Sequence, residues 1–394
     1  RITKKKPHGK QRQKGTWRFK IKVFELAEDG EIIKDKFVMH HLPENPVVKP
    51  EDIGLTWEEG GEVKKGAVFN GGAVLHENKI YLLPRCHKNY TRIKFYDEKL
   101  GIERYGFENY VSRVYVLESE DGIRFRKSGI TIEGKTPDFS YGIEDIRITP
   151  YHDIYILTGC GKVKPPFKGT GGDRVAFYKT RNFREIEYCG IISLFDSRNA
   201  IPFFHNGKHY IFMRFHPDIY LFPLFDFSPV FSPKEHEETW KKLYQEKEKY
   251  LLIKAGELPH EREKIGPGTP PIFTDEGILF IYHAVGSIEK EVAEIYGIEP
   301  QERCYSVCCA LLDAENPWKI KARGVYPVYV PSHPYELGGN EEYPVDVPNV
   351  IFPVGCVVKD KKAVLYCGAG DRYVVVLSFD VDKLVKYLLE YGKR

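Results

Sequence analysis

Two adjacent carboxylates, Glu144 and Asp145, stand at the head of an apolar run, and Arg147 follows two residues after Asp145, which puts both on one face of a strand. A carboxylic acid so placed can protonate a glycosidic oxygen. Arg85, Arg198 and His283 each close or open another apolar run. Grouped arginines with a histidine can hold an anion, because guanidinium forks match the oxygens of a phosphate or carboxylate. Taken singly these residues have plainer readings. A Glu-Asp pair before a strand is usually a solvated turn, and a histidine ending a strand is usually a core imidazole bonded to one carbonyl. What changes the weighting is the pattern of elements that would carry them.

That pattern is a hairpin repeated five times: an apolar strand, a short polar turn and a second apolar strand. The copies run from Gly72 to Arg85 around Glu77-Asn78, from Ile146 to Cys160 around His152-Asp153, and from Ala200 to Phe215 around Asn206-Gly207. The fourth, Pro271 to His283, turns at Asp275-Glu276-Gly277, and the fifth, Val350 to Gly368, turns at Lys359-Asp360. Most are followed by a further strand, as in Val111 to Leu117 and Val175 to Thr180. Three or four antiparallel strands per unit, repeated five times, predict an all-β fold, a five-bladed β-propeller. The start of the first strand and the end of the second lie at one end of a hairpin. Asn70, Arg85, Glu144, Asp145, Arg147, Arg198, His283 and Asp371 therefore converge on one rim, with Asn199, Arg214, Asn349 and Arg372 beside them.

Outside the repeat, residues 1–15 are basic and almost free of apolar side chains, and read as a disordered tail. Residues 16–394 read as one propeller domain. Within it, residues 16–65 form an N-terminal extension, with strands expected where Trp17, Phe19, Ile21 and Val23 alternate and a turn at Asp29-Gly30. Residues 233–251 form a charged helical insertion, and residues 382–394 contain an amphipathic C-terminal helix carrying Leu384, Val385, Leu388 and Leu389.

The stretch Gly142-Ile143-Glu144-Asp145-Ile146-Arg147 resembles the Glu-Asp-Pro-Arg motif of glycoside hydrolase family 130, the β-mannoside phosphorylases and their β-mannosidase relatives. Phe69-Asn70, Leu82-Leu83-Pro84-Arg85, Gly266-Pro267-Gly268-Thr269-Pro270-Pro271, Tyr282-His283, Tyr335-Glu336 and Gly368-Ala369-Gly370-Asp371 resemble the family's pattern in the same order. The resemblance implies inversion at the anomeric carbon. Asp145 matches the acid, which delivers its proton to the leaving oxygen through the sugar's 3-hydroxyl, and phosphate attacks from the other face. It further implies phosphate donors at Arg174, Arg198 and His283, and a mannosyl site built from Asn70, Arg85, Arg147 and Asp371, with Glu144 orienting Asp145 or touching sugar. The sequence departs from the motif twice. Ile146 stands in place of the proline, and Arg198 where many members have lysine.

Composition narrows the alternatives. The formal charge of +3, from 59 basic and 56 acidic residues, is too even to predict a nucleic-acid or membrane partner. No apolar run approaches the roughly 18 residues of a membrane span and no secretory h-region is seen, so a soluble cytoplasmic protein is expected. Eight cysteines lack a Cys-x-x-Cys pair, and Cys308 and Cys309 would face opposite sides of a strand, so no metal site is expected. No cofactor is implied beyond phosphate as co-substrate. The expected partners are a β-mannoside oligosaccharide and phosphate, and the charged insertion offers a surface for a homo-oligomer. Inverting phosphorolysis to α-mannose 1-phosphate leads. Hydrolysis in the same fold and a glycan-binding propeller without catalysis are the alternatives.

Overall fold

The computed structural model describes residues 20–98, 101–166 and 171–394; residues 1–15, expected as a tail, and the aromatic pair Trp17 and Phe19 lie outside them. Five small antiparallel sheets form a ring, the five-bladed propeller that the repeat predicts. Blade 1 contains Ala67–His76, Lys79–His87, Arg113–Ser119 and Arg126–Ile132, from the axis outwards; blade 2 contains Ile143–Tyr151, Ile154–Lys162, Asp173–Thr180 and Ile186–Ile191. Blade 3 is built from Arg198–His205, Lys208–Phe215, Asp218–Leu224 and Leu251–Ile253. In blade 4 the strands are Lys264–Pro267, Gly277–Ile288, Gln301–Leu312 and Ile320–Arg323, and in blade 5 Ile351–Lys359, Lys362–Ala369, Tyr373–Asp380 and His40–His41. The ring thus closes with an N-terminal strand at the edge of the last blade.

Strand alternation explains why the ring holds. Each blade sends one set of apolar side chains to the preceding blade and the other set to the next, giving five interfaces: Val68 and Leu82 against Val374 and Val376, Leu83 against Ile148, Ile156 against Ile211, Phe212 against Phe280, and Leu279 and Cys309 against Leu377. Burying each such side chain contributes about 1.5–3 kcal/mol. Cys308 and Cys309 lie in different interfaces, as their adjacency in a strand requires.

Blade 4 departs from the others. Its innermost strand is broken between Lys264–Pro267 and Ile272–Thr274, because Pro267, Pro270 and Pro271 cannot donate to a ladder. The carbonyls of Pro267 and Gly268 turn inward instead, where they matter for the site below. The fifth hairpin turns at Asp360-Lys361, not Lys359-Asp360: Lys359 pairs with Lys362, and both turn residues have positive φ.

The N-terminal expectation needs correcting. Lys22–Leu26 is a one-turn helix, burying Val23 and Phe24, not a strand; a short apolar stretch satisfies both periods, and packing decides. The following hairpin, Glu31–Ile33 with Lys36–Val38, turns at Lys34-Asp35 rather than Asp29-Gly30. Helical turns within the insertion begin earlier than expected, at Ser228–Phe231, and continue through Glu237–Gln245, whose Trp240 is fully buried between blades 2 and 3. The C-terminal helix, Val381–Tyr391, is capped by the Asp380 side chain and buries Leu384, Val385 and Leu388. No described helix is long and apolar enough to cross a membrane.

Candidate active site

Three blades share a local device at the head of the innermost strand. Asn70-Gly71, Asp145-Ile146 and Asn199-Ala200 are the two-residue sides of β-bulges, each opposite a single residue of the next strand. The first residue of each bulge is left-handed, with φ of 48°, 55° and 61°. Asn and Asp tolerate that conformation better than other side chains, and a bulge re-aims its side chain out of the ladder. Ile146, the second residue of the middle bulge, is buried in the interface between blades 1 and 2.

The three bulges bring their polar groups together at depth. Asp145 is 3% exposed; its Oδ2 accepts from Arg198 Nη2 at 2.6 Å, and its Oδ1 accepts from Asn70 Nδ2 at 3.2 Å and lies 3.6 Å from Arg85 Nη1. Glu144 lies between the same arginines, 3.0 Å from Arg85 Nη2 and 2.9 Å from Arg198 Nη2. Burial alone would raise the pKa of Asp145, but the guanidiniums of Arg198, Arg85 and Arg147 outweigh it and hold the carboxyl below its ordinary value.

Arg147 lies beside Asp145 at the same rim. It is buried, and its donors are taken within the protein: Nε to Gly268 O at 3.0 Å, Nη2 to Pro267 O at 3.0 Å, and Nη1 to Asp145 O and Asn199 Oδ1, both at 3.1 Å. It caps the carbonyls that the broken blade 4 strand leaves unpaired and fixes the backbone of Asp145. It ties blade 2 to blades 3 and 4.

His283 lies under the same roof. A Cβ on Gly266 would come within 2.5 Å of its ring and 3.1 Å of Asn199 Nδ2, so glycine there is a packing requirement. Burial, then the nearby charges of Arg147, Arg214, Lys264 and Arg198, push its pKa well below the ordinary value. The imidazole is neutral at neutral pH and offers one N–H; its Nδ1 is buried with no hydrogen-bond partner among the described residues. Asp371, φ 51°, shows the opposite effect. Burial, and then the charges of Asp145, Asp346 and Glu144 working against Arg85, push its pKa up to about 7.

Between the unfolded value of about 3.9 and that raised value, folded Asp371 keeps a proton that the unfolded chain has lost. Its contribution to stability therefore falls as pH rises through this window and stays low above it. Asp371→Asn, which cannot ionise, is expected to melt higher than the unaltered protein, with a wider gap at about pH 8 than at about pH 5. Equal gaps at both pH values would contradict this.

Arg174 is not brought to the carboxylates. It donates to the carbonyls of Gly171 and Asp173 and lies 3.7 Å from Asp196; its strand neighbour Asp173 takes the inward face. Asp173 pairs with Lys162 and lies 3.5 Å from Arg198 Nη1, and these cations hold its pKa down against burial. Neither Lys162 nor Asp173 was expected in the site. The signal for Lys162 was present, because it stands two residues beyond the strand-end position that Arg85 and Arg214 occupy in blades 1 and 3. Tyr335-Glu336 faces elsewhere: buried Glu336 accepts from Tyr329 Oη at 2.7 Å and lies 3.2 Å from His41 Nε2, beside a cavity of about 760 Å³ under the N-terminal segment. Arg372 is paired with Asp346 at 3.0 Å.

The arrangement offers two adjacent buried carboxylates, Glu144 and Asp145, among three arginines, with neutral donors and the raised-pKa carboxyl of Asp371 nearby. It suits a neutral polyhydroxylated substrate alongside an anion.

Residues 39–390 match the family described as β-1,4-mannooligosaccharide phosphorylase. The chain is 28% identical over 337 residues to a β-1,2-mannobiose phosphorylase of Thermoanaerobacter sp. (strain X514), covering 82% of this chain and 93% of that one. It is 27% identical over 355 residues to a 1,2-β-oligomannan phosphorylase of the same organism, with 87% and 97% covered. Its fold superposes on the β-1,2-mannobiose phosphorylase of Listeria innocua, solved with β-1,2-mannobiose, at a TM-score of 0.64 and 19% identity over 89% of this chain and 99% of the other.

Proposed function

We propose, from the premise that this chain belongs to glycoside hydrolase family 130, that it cleaves β-mannosides by inverting phosphorolysis, giving α-mannose 1-phosphate and a shortened acceptor. The observation that carries this is Arg198 lying within hydrogen-bond reach of Asp145 at 2.6 Å while also meeting Glu144 and Asp173. An acid and a strong anion donor share one small space, as a reaction joining a leaving sugar oxygen and an attacking phosphate demands. Names of relatives support the same class of substrate.

In this reading Asp145 donates the proton to the departing oxygen by way of a sugar hydroxyl. Arg198 binds a phosphate oxygen pair, neutral His283 donates its single N–H, and Arg174 joins from the outer side by exchanging Asp196 for phosphate. Asn70, Arg85, Glu144 and Asp371 hold the mannosyl hydroxyls. Arg147 acts through the backbone, keeping Asp145 aimed. Phosphate is neutralised by fixed donors in a site that excludes water, so its attack on the anomeric carbon competes well with hydrolysis.

The test is incubation with β-1,2- and β-1,4-linked mannobiose, with and without phosphate. Mannose 1-phosphate is expected only when phosphate is present, as the α anomer, from one linkage in preference to the other. Mannose released at the same rate without phosphate would replace this reading with hydrolysis.

A further inference from the structure

Arg198 is over-committed. One nitrogen serves both Glu144 and Asp145, at 2.9 Å and 2.6 Å, and the other lies 3.5 Å from Asp173, so the guanidinium cannot meet an anion squarely without loosening at least one of these. The carboxylates differ in what they would keep. Glu144 retains Arg85 at 3.0 Å, and Asp173 retains Lys162. Asp145 would keep only the hydrogen bond from Asn70 at 3.2 Å and Arg85 at 3.6 Å. Its other neighbours are Arg147, whose charge still favours the carboxylate but whose N–H groups go to backbone carbonyls and Asn199 rather than to its oxygens, and Glu144 and Asp371, whose charges oppose its own.

We propose that Arg198 couples the two substrates: in the free enzyme it keeps Asp145 an inert carboxylate, and when an anion draws the guanidinium away, Asp145 takes up a proton and becomes the acid. The inference rests on the phosphate reading of this site. Its physical basis is plain electrostatics. A dianion replaces a cation beside a carboxyl that is already buried and already next to like charges, and each change favours the neutral form. The proton comes from solvent, so anion binding and proton uptake are linked reactions. One consequence is that mannoside bound without phosphate meets an acid with no proton to give, which suppresses wasteful hydrolysis.

The experiment is calorimetric titration of the intact protein with sulfate, a dianion that does not itself ionise near neutral pH, in buffers of differing ionisation enthalpy. The expected result is net proton uptake on sulfate binding, lost or strongly reduced in Asp145→Asn, which still binds sulfate. Because a dianion would also favour protonation of His283, His283→Gln is titrated in parallel. Uptake that persists in Asp145→Asn overturns the proposal, whether it then vanishes in His283→Gln, which assigns the proton to the imidazole, or in Asp371→Asn, which assigns it to the carboxyl already held at about 7; so does binding with no proton exchanged. Should Asp145→Asn not fold, an infrared difference spectrum of Asp371→Asn, sulfate-bound minus free, must gain a protonated-carboxyl band, since Asp371 itself titrates at about 7; its absence is equally decisive. No binding of sulfate or phosphate at all would remove the phosphate reading itself, and this coupling with it.

Discussion

Asp145→Asn is expected to lower kcat/KM for phosphorolysis by about 10²–10⁴-fold, the contribution of a positioned general acid, while leaving the propeller folded. Asparagine accepts the left-handed φ of 55° at this bulge. The cations it leaves behind are not stranded: Arg198 still meets Glu144 and Asp173, and Arg85 still meets Glu144. A loss of activity caused by unfolding would appear in circular dichroism and in the melting temperature, and neither should move far. Turnover close to that of the unaltered protein would take Asp145 out of its role. Asn70→Ala gives a smaller loss, since it removes one donor to Oδ1 and none of the acid itself.

Arg147→Ala is expected to be the most damaging single change to stability near the site, costing about 3–5 kcal/mol. It strands the carbonyls of Pro267, Gly268 and Asp145 together with Asn199 Oδ1 in a space that is 1% exposed at Arg147. Activity falls with stability, because the bulge that aims Asp145 loses its tie to blade 4. Arg147→Lys should recover little. An ammonium places its donors on one atom and cannot span acceptors on three segments. Urea unfolding of the three proteins measures the effect; a lysine variant as stable as the unaltered protein would show that charge, not the fork, is what this position requires. If Arg147 contacted substrate instead, the alanine variant would keep its unfolding midpoint and lose affinity for mannoside alone.

The fold was legible because its signal is local and repeated. Each hairpin announces itself through runs of β-formers around a turn, and five copies average out the error in any one. Errors fell where the local signal is short. Val23 and Phe24 satisfy a helix as well as a strand, and the break in blade 4 follows from prolines whose effect on register the hairpin pattern does not report. The hairpin Thr91–Asp97 with Ile102–Glu108, inserted between the second and third strands of blade 1, carries no feature of the repeat and was not anticipated.

The candidate site was legible to the level of which residues reach the rim, and less so beyond it. Asp145, Glu144, Arg85, Asn70 and Arg198 meet because strand ends converge at the axis. The partners of Arg147 and Arg174 were not readable, since a residue's face is local but its partners are not. Arg147 finds carbonyls about 120 residues away that are free only because another blade is interrupted. Arg174 is displaced by its neighbour Asp173, whose inward turn depends on Lys162 and Arg198 being there to receive it.

By itself, then, the sequence determined the β-periods, the number of blades, and the acids and bases available at each strand end, all of which depend on residues near one another in the chain. Only the tertiary structure decided which charge meets which: that Arg198 rests on the acid, that Arg147 is spent on backbone, and that Asp371 is held near neutrality. Those outcomes depend on burial and on distances between blades, and an ionic interaction inside a ring is set by separation and by the exclusion of water, neither of which is written in the order of the residues.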